Sequence, residues 1–72
     1  MKPNAMLTIK RRRDPIVAAV VTYNEASGRM GKILISEPIR SDFSNDDLIA
    51  VAKKLVPQVP DYEVILPIGV NI

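Results

Sequence analysis

SNDDLIAVAKKLVP, residues 44–57, predicts the helix around which the rest of the fold is arranged. Ser44 is a favourable N-cap, and Asp47 three residues later completes a capping-box pattern. Acidic residues at the start of the segment, and Lys53 and Lys54 near its end, match the dipole of a helix. We therefore expect an amphipathic helix that starts at Ser44, ends before the proline and packs one face on a sheet. The expected apolar face consists of Leu48, Ile49, Val51, Ala52, Leu55 and Val56.

Two segments before the helix have the composition of a β-hairpin. IVAAVVTY (16–23) is apolar throughout, which is typical of a strand that is covered on both faces. A short loop joins it to GKILIS (31–36), and Gly28 in that loop can adopt the left-handed conformation of a tight turn. Strict alternation in the second segment would place Leu34 on the opposite face from its two isoleucine neighbours.

The first and last segments also have the alternation of strands. In AMLTIKRR (5–12), Leu7 and Ile9 share one face with the arginine at position 11, whereas Thr8 and Lys10 share the other. DYEVILPIGVNI (61–72) places six apolar residues on a single face. Because Pro67 cannot donate a ladder hydrogen bond, this strand should lie at a sheet edge or end near Leu66.

The order of these elements is β-β-β-α-β, which predicts an α+β fold. We expect a small domain with a four-stranded mixed sheet and one amphipathic helix packed on one face. The first three strands would form a meander, and the helix would deliver the last strand beside the first or the third. Residues 1–72 are interpreted as a single small domain, with residues 1–5 as a flexible leader.

The composition argues against catalysis and against a cofactor. The chain has no Cys and no His, which removes disulfides, the commonest metal sites and the usual nucleophile–base pairs. No glycine-rich phosphate loop is present. Asp42, Asp46 and Asp47 form the best candidate for a carboxylate site, but helix capping explains them better. We therefore expect no enzyme, no metal and no cofactor.

The apolar runs of the sequence are too short for a membrane span, and the first residues lack the pattern of a secretion signal. These features favour a cytoplasmic protein that does not insert into a membrane.

The basic run KRRR at residues 10–13 has two interpretations. It could bind phosphates or another anion, with help from other basic residues in the first 40 positions. The preferred interpretation is that it keeps a strand end from pairing with other chains, which is a common use of Lys and Arg. An acidic protein is a third, weaker possibility as a partner. The candidate set for nucleic-acid or anion binding is Lys10, Arg11, Arg12, Arg13, Arg29 and Lys32.

The size of the chain favours self-association. With 72 residues and neither disulfide nor metal, the core is small, and one helix covers only about half of one face of a four-stranded sheet. The leading hypothesis is therefore a non-enzymatic binding or assembly module that acts as a homodimer. The alternative is a small nucleic-acid-binding protein that uses residues 10–13. The candidate dimer interface consists of Val64, Leu66, Ile68, Val70 and Ile72.

Overall fold

The computed structural model describes residues 2–11 and 15–72 of the chain. Within these ranges the strands form one mixed sheet in the order β3-β2-β1-β4, with a single α-helix against it. This arrangement confirms the predicted α+β fold class. The elements are β1 (Asn4–Lys10), β2 (Val17–Asn24), β3 (Arg29–Pro38), α1 (Asn45–Leu55), a 3₁₀ turn (Val56–Gln58) and β4 (Glu63–Ile65).

Helix α1 begins where its capping residues predict. The hydroxyl of Ser44 accepts a hydrogen bond from the backbone N–H of Asp47 at 3.2 Å. The carboxylate of Asp47 in turn accepts from the backbone N–H of Ser44 at 3.0 Å, so the capping box is complete. Leu48, Ala52 and Leu55 are buried, which confirms the predicted apolar face. At the other end, Pro57 lies in the 3₁₀ turn that ends the helix.

Strand β2 lies inside the sheet and is buried on both of its faces. Each residue from Ala18 to Val21 is 0% exposed, as its apolar composition predicted. On the side that faces α1, Leu7 of β1 is opposite Val20 of β2, and both belong to the main core. The other buried members of this core are Ala5, Ala18, Leu48, Ala52, Leu55, Val59 and Val70.

A β-bulge changes the faces that were predicted for strand β3. Val20 of β2 is opposite Ile35, whereas the next residue, Val21, is opposite Ile33, so Leu34 is an extra residue on β3. Leu34 and Ile35 both pack against the core, and Ile33 is 52% exposed. The prediction that the two isoleucines share a face is therefore wrong, because the bulge shifts the alternation by one residue.

The sheet edge at β4 is shorter than the predicted last strand. β4 pairs in parallel with β1 over only three residue pairs, from Asn4–Glu63 to Met6–Ile65. It ends before Pro67, as the missing N–H of proline predicts, and it lies at a sheet edge next to the first strand. The pairing also places Asn4 in β1, so that the last residues of the predicted leader belong to the sheet.

Candidate binding surfaces

The sheet has a second face, which α1 does not cover. Alternate residues of a strand point to opposite faces, so the neighbours of the helix-facing residues lie on this side. The strand registers align Ile65 of β4, Met6 of β1, Val21 of β2 and Ile33 of β3 in one row across all four strands. We call the surface that carries this row the helix-free face. Val21 is buried at its centre, Met6 and Ile65 are half-buried, and Ile33 is 52% exposed.

The rows on either side of this apolar row differ in character. Towards the β2–β3 hairpin, Tyr23 is opposite Met30, which is also 52% exposed. Towards the other end, the register continues with Thr8 and Ala19, whose side chains are small. The helix-free face therefore offers large apolar side chains on one half and a flat, small-residue surface on the other.

The structure buries some residues of the candidate dimer interface and exposes others. Val64 and Leu66 are partly buried against the core, and Val70 is 4% exposed within it. Ile68 and Ile72 lie at the surface, with exposures of 105% and 53%. Of the predicted interface residues, these last two are the most available to a partner.

The candidate basic residues do not form one surface among the described residues. Lys10 is opposite Val17 at one end of the sheet, whereas Arg29 is opposite Asn24 at the far end of the same strand β2. Lys32 is in β3 near Arg29. Arg12 and Arg13 lie outside the described residues.

Arg11 is placed beside the start of the helix. Its guanidinium lies over the ring of Phe43, 5.0 Å from the centroid, which is a cation–π geometry. Phe43 directly precedes the N-cap of α1 and packs against the core. Part of the basic run therefore contacts the fold itself, a contact that the sequence pattern did not indicate.

The candidate carboxylates have structural contacts. The backbone N–H of Ser44, and after it the Ser44 side chain, donate to the Asp47 carboxylate and lower the pKa of that carboxyl below its ordinary value. Asp42 accepts a hydrogen bond from Arg40 at 3.2 Å, and both side chains are exposed. Within the described residues there is no group of three His, Cys, Asp or Glu side chains that could hold a metal ion.

A groove runs along the outer edge of β1, beyond the point where β4 ends. Its volume is about 430 Å³. Backbone and side chains of β1 form one wall, and the chain that leaves β4 forms the other. The lining residues are Met6, Leu7, Thr8, Ile9, Ile65, Leu66, Pro67 and Ile68.

Comparison of this chain with protein families, curated proteins and solved structures found no match. In the part of the chain that the structure describes, no helix has the length and apolar character needed to cross a membrane.

Proposed function

We propose that this chain is a cytoplasmic, non-enzymatic binding module that acts as a homodimer, and that two helix-free faces pack together. The observation that carries this proposal is the apolar row from Ile65 to Ile33 across an uncovered sheet face. Sheets commonly pack face to face at about 10 Å, with the side chains of both inner faces interdigitating. A second copy supplies a surface of matching width, because it presents the same row.

The accessible surface of the chain supports this reading. A compact monomer of 8.0 kDa is expected to expose about 4,450 Å² by the usual scaling with mass. The chain exposes 5140 Å². The excess is in the direction expected of a protomer that has not yet buried an interface.

The charges around the helix-free face are compatible with a two-fold axis. Lys10 lies at one end of β1 on this face, and Glu63 lies at the opposite end on neighbouring β4. If two faces pack with their strands antiparallel, Lys10 of one copy lies near Glu63 of the other. Both side chains are exposed in the single chain, so the paired arrangement costs little desolvation.

This packing moves the proposed interface from the C-terminal segment, where the sequence predicted it, to the helix-free face. The apolar residues of this interface are Ile33, Met30, Met6 and Ile65. Among the residues of the candidate dimer interface predicted from the sequence, Ile68 lies closest to them, because it lines a groove with Met6 and Ile65. Ile72 then serves as a test residue, because its exposure of 53% nearly equals the 52% of Ile33.

The experiment is light scattering at micromolar concentration on the wild type and two matched variants. The wild type should have about twice the mass of 8.0 kDa. Ile33→Asp should give a folded monomer, because a buried, unpaired carboxylate is costly at a sheet–sheet interface. Ile72→Asp should leave the dimer intact. A folded wild-type monomer would disprove the dimer, and a dimer lost only in Ile72→Asp would return the interface to the C-terminal segment.

Nucleic-acid binding through residues 10–13 is the second proposal. The exposure of Lys10 and Arg11 at one end of the sheet favours it. The test is a mobility shift with mixed DNA and RNA at about 50 mM salt, where phosphate contacts are strong, and again at higher salt. Binding that weakens steeply with salt and is lost in Lys10→Gln with Arg11→Gln would support it, and no shift at low salt would remove it.

A further inference from the structure

The outer edge of β1 is only partly paired. β4 accompanies β1 from Asn4 to Met6, but β1 continues to Lys10. On this side, the last part of β1 therefore has no neighbouring strand among the described residues. Unpaired strand edges carry a row of backbone donors and acceptors that can pair with another chain.

Backbone groups of successive residues point to alternate sides of a strand, and this alternation shows which N–H and C=O groups of β1 are available to a partner. The N–H of Glu63 donates to the carbonyl of Pro3 at 2.9 Å, so the odd-numbered residues of β1 direct their backbone groups towards β4. The same phase continues past the end of β4. The carbonyl of Leu7 and both backbone groups of Ile9 then point outward, and no described backbone group bonds to them.

The groove beside these groups is apolar and has a fixed outer wall. A turn at Ile68 and Gly69 follows Pro67, and the backbone N–H of Val70 donates to the carbonyl of Pro67 at 3.1 Å. Val70 is itself anchored in the core, which holds the turn in place. Ile68 at the tip of this turn is 105% exposed and lines the groove together with Met6. Ile68 therefore offers an apolar side chain at the outer wall of the groove to any segment that binds there.

We propose that this edge binds an extended segment of another protein as an added strand, with apolar side chains in the groove and acidic residues beside Lys10 and Arg11. The outward groups of Leu7 and Ile9 supply the backbone hydrogen bonds, in the manner of strand addition. The charge of the occupant follows from Lys10 and Arg11, which come directly after Ile9, the last β1 residue that lines the groove.

A second copy fits this edge poorly. Two β1 edges that pair antiparallel around Ile9 place Lys10 of one chain diagonal to Lys10 of the other, within reach of their long side chains. Like charges across a strand pair are destabilising, whereas acidic residues in the added strand are attracted. The edge shares Met6, Ile65 and Lys10 with the proposed dimer contacts, but the backbone groups of Leu7 and Ile9 that would pair with an added strand point along the sheet and away from the helix-free face.

The first experiment uses peptides and leaves the protein unchanged. The probe is a fluorescein-labelled ten-residue peptide of alternating Val and Thr that ends in three Glu, followed by fluorescence anisotropy. Two derivatives carry N-methyl groups on alternate backbone amides, in opposite phases. Only alternate amides of an added strand face β1, so one derivative should lose affinity about tenfold or more and the other should bind almost normally. A peptide that ends in Lys should bind more weakly than either the parent or the tolerated derivative.

The second experiment uses variants of this chain. Lys10→Glu with Arg11→Glu should weaken binding of the acidic peptide and strengthen binding of the Lys peptide. Arg29→Glu with Lys32→Glu is the matched control, because it makes the same charge change at the far end of the sheet. Strand addition would be disproved if the two double variants changed the affinity for the peptide equally. It would also be disproved if the two N-methylated derivatives lost affinity equally.

The same measurements identify other occupants. If the peptide does not bind and Ile68→Ser lowers the mass of the protein in solution, the edge is a contact between copies and the proposal is wrong. If the peptide does not bind and Ile68→Ser leaves the mass unchanged, the basic run only protects the edge, which also contradicts the proposal.

Discussion

The two faces of the sheet are built from the same strands but depend on different partners. On the helix-covered face, Leu7 and Val20 are closed over by Leu55 and its neighbours on α1. On the helix-free face, Val21 is equally buried, yet the row ends in Ile33, which is half exposed. One face is completed within the chain, and the other has apolar residues that the chain does not cover.

This difference follows from the size of the helix. α1 has 11 residues and is therefore about 16 Å long, so it can close one side of a small sheet but not both. The chain protects the centre of the other side with small residues and with neighbouring side chains instead. What remains exposed lies at the sides of that face, on β3 and near the turn at Ile68.

The largest expected effect on stability comes from truncating one apolar residue on each face of the sheet and comparing the two losses. Leu55 is 2% exposed, so Leu55→Ala should lower the free energy of unfolding by about 2–5 kcal/mol. Ile33→Ala should change the stability of the monomer by only about 0.5 kcal/mol. Urea denaturation over a range of protein concentrations measures both. The Ile33 effect should grow with concentration if the helix-free face is an interface, because dimerisation stabilises the folded state by mass action.

A close contact near the β2–β3 hairpin gives the next effect. A Cβ on Gly31 would overlap the hydroxyl oxygen of Thr22, far inside a normal contact. Gly31→Ala should therefore destabilise the fold by about 1–3 kcal/mol, as overpacking does. The double variant with Thr22→Ala should recover most of the loss in thermal denaturation. If both versions are equally destabilised, the cost comes from the backbone of β3 and not from Thr22.

The helix and its cap could be predicted because their signals are local. Ser44, Asp47 and the apolar spacing that follows lie within a few residues of one another, and each interaction forms inside the segment. The burial of β2 was likewise evident from its composition. These features need no knowledge of which strand lies beside which.

The bulge and the open edge could not be predicted because they depend on pairing between distant segments. Nothing around Leu34 indicates that two residues of β3 share one partner on β2. The short β4 was indicated by Pro67, but the groove beside β1 arises only because β4 pairs with β1 and not with β3. The separation of Lys10 from Arg29, by contrast, follows from the expected meander, because the antiparallel pairs β1–β2 and β2–β3 place these residues at opposite ends of β2.

The cap of α1 gives a smaller effect, because it orders only the start of the helix that covers one face. Ser44→Ala removes the acceptor for the N–H of Asp47 and should cost about 1 kcal/mol in thermal or urea denaturation. Ser41→Ala is the control, since Ser41 is an exposed turn residue before the cap. Equal changes in the two variants would mean that the hydroxyl of Ser44 does not stabilise α1.

The smallest expected effect is the pH dependence of the same cap. Hydrogen bonds from Ser44 lower the pKa of Asp47 in the folded chain, so its ionised form favours folding. The contribution is complete above the pKa of the unfolded state, about 3.9, and is lost as the pH falls through the lower, folded pKa. Asp47→Asn should therefore reduce the loss of stability between neutral pH and about pH 3. Asp46→Asn removes the same charge from the same turn but keeps the bonds to Ser44, so it should preserve more of the acid dependence. Urea denaturation at each pH measures the difference, and identical pH profiles for the two variants would show that the capping bonds of Asp47 do not contribute to the stability of α1 in acid.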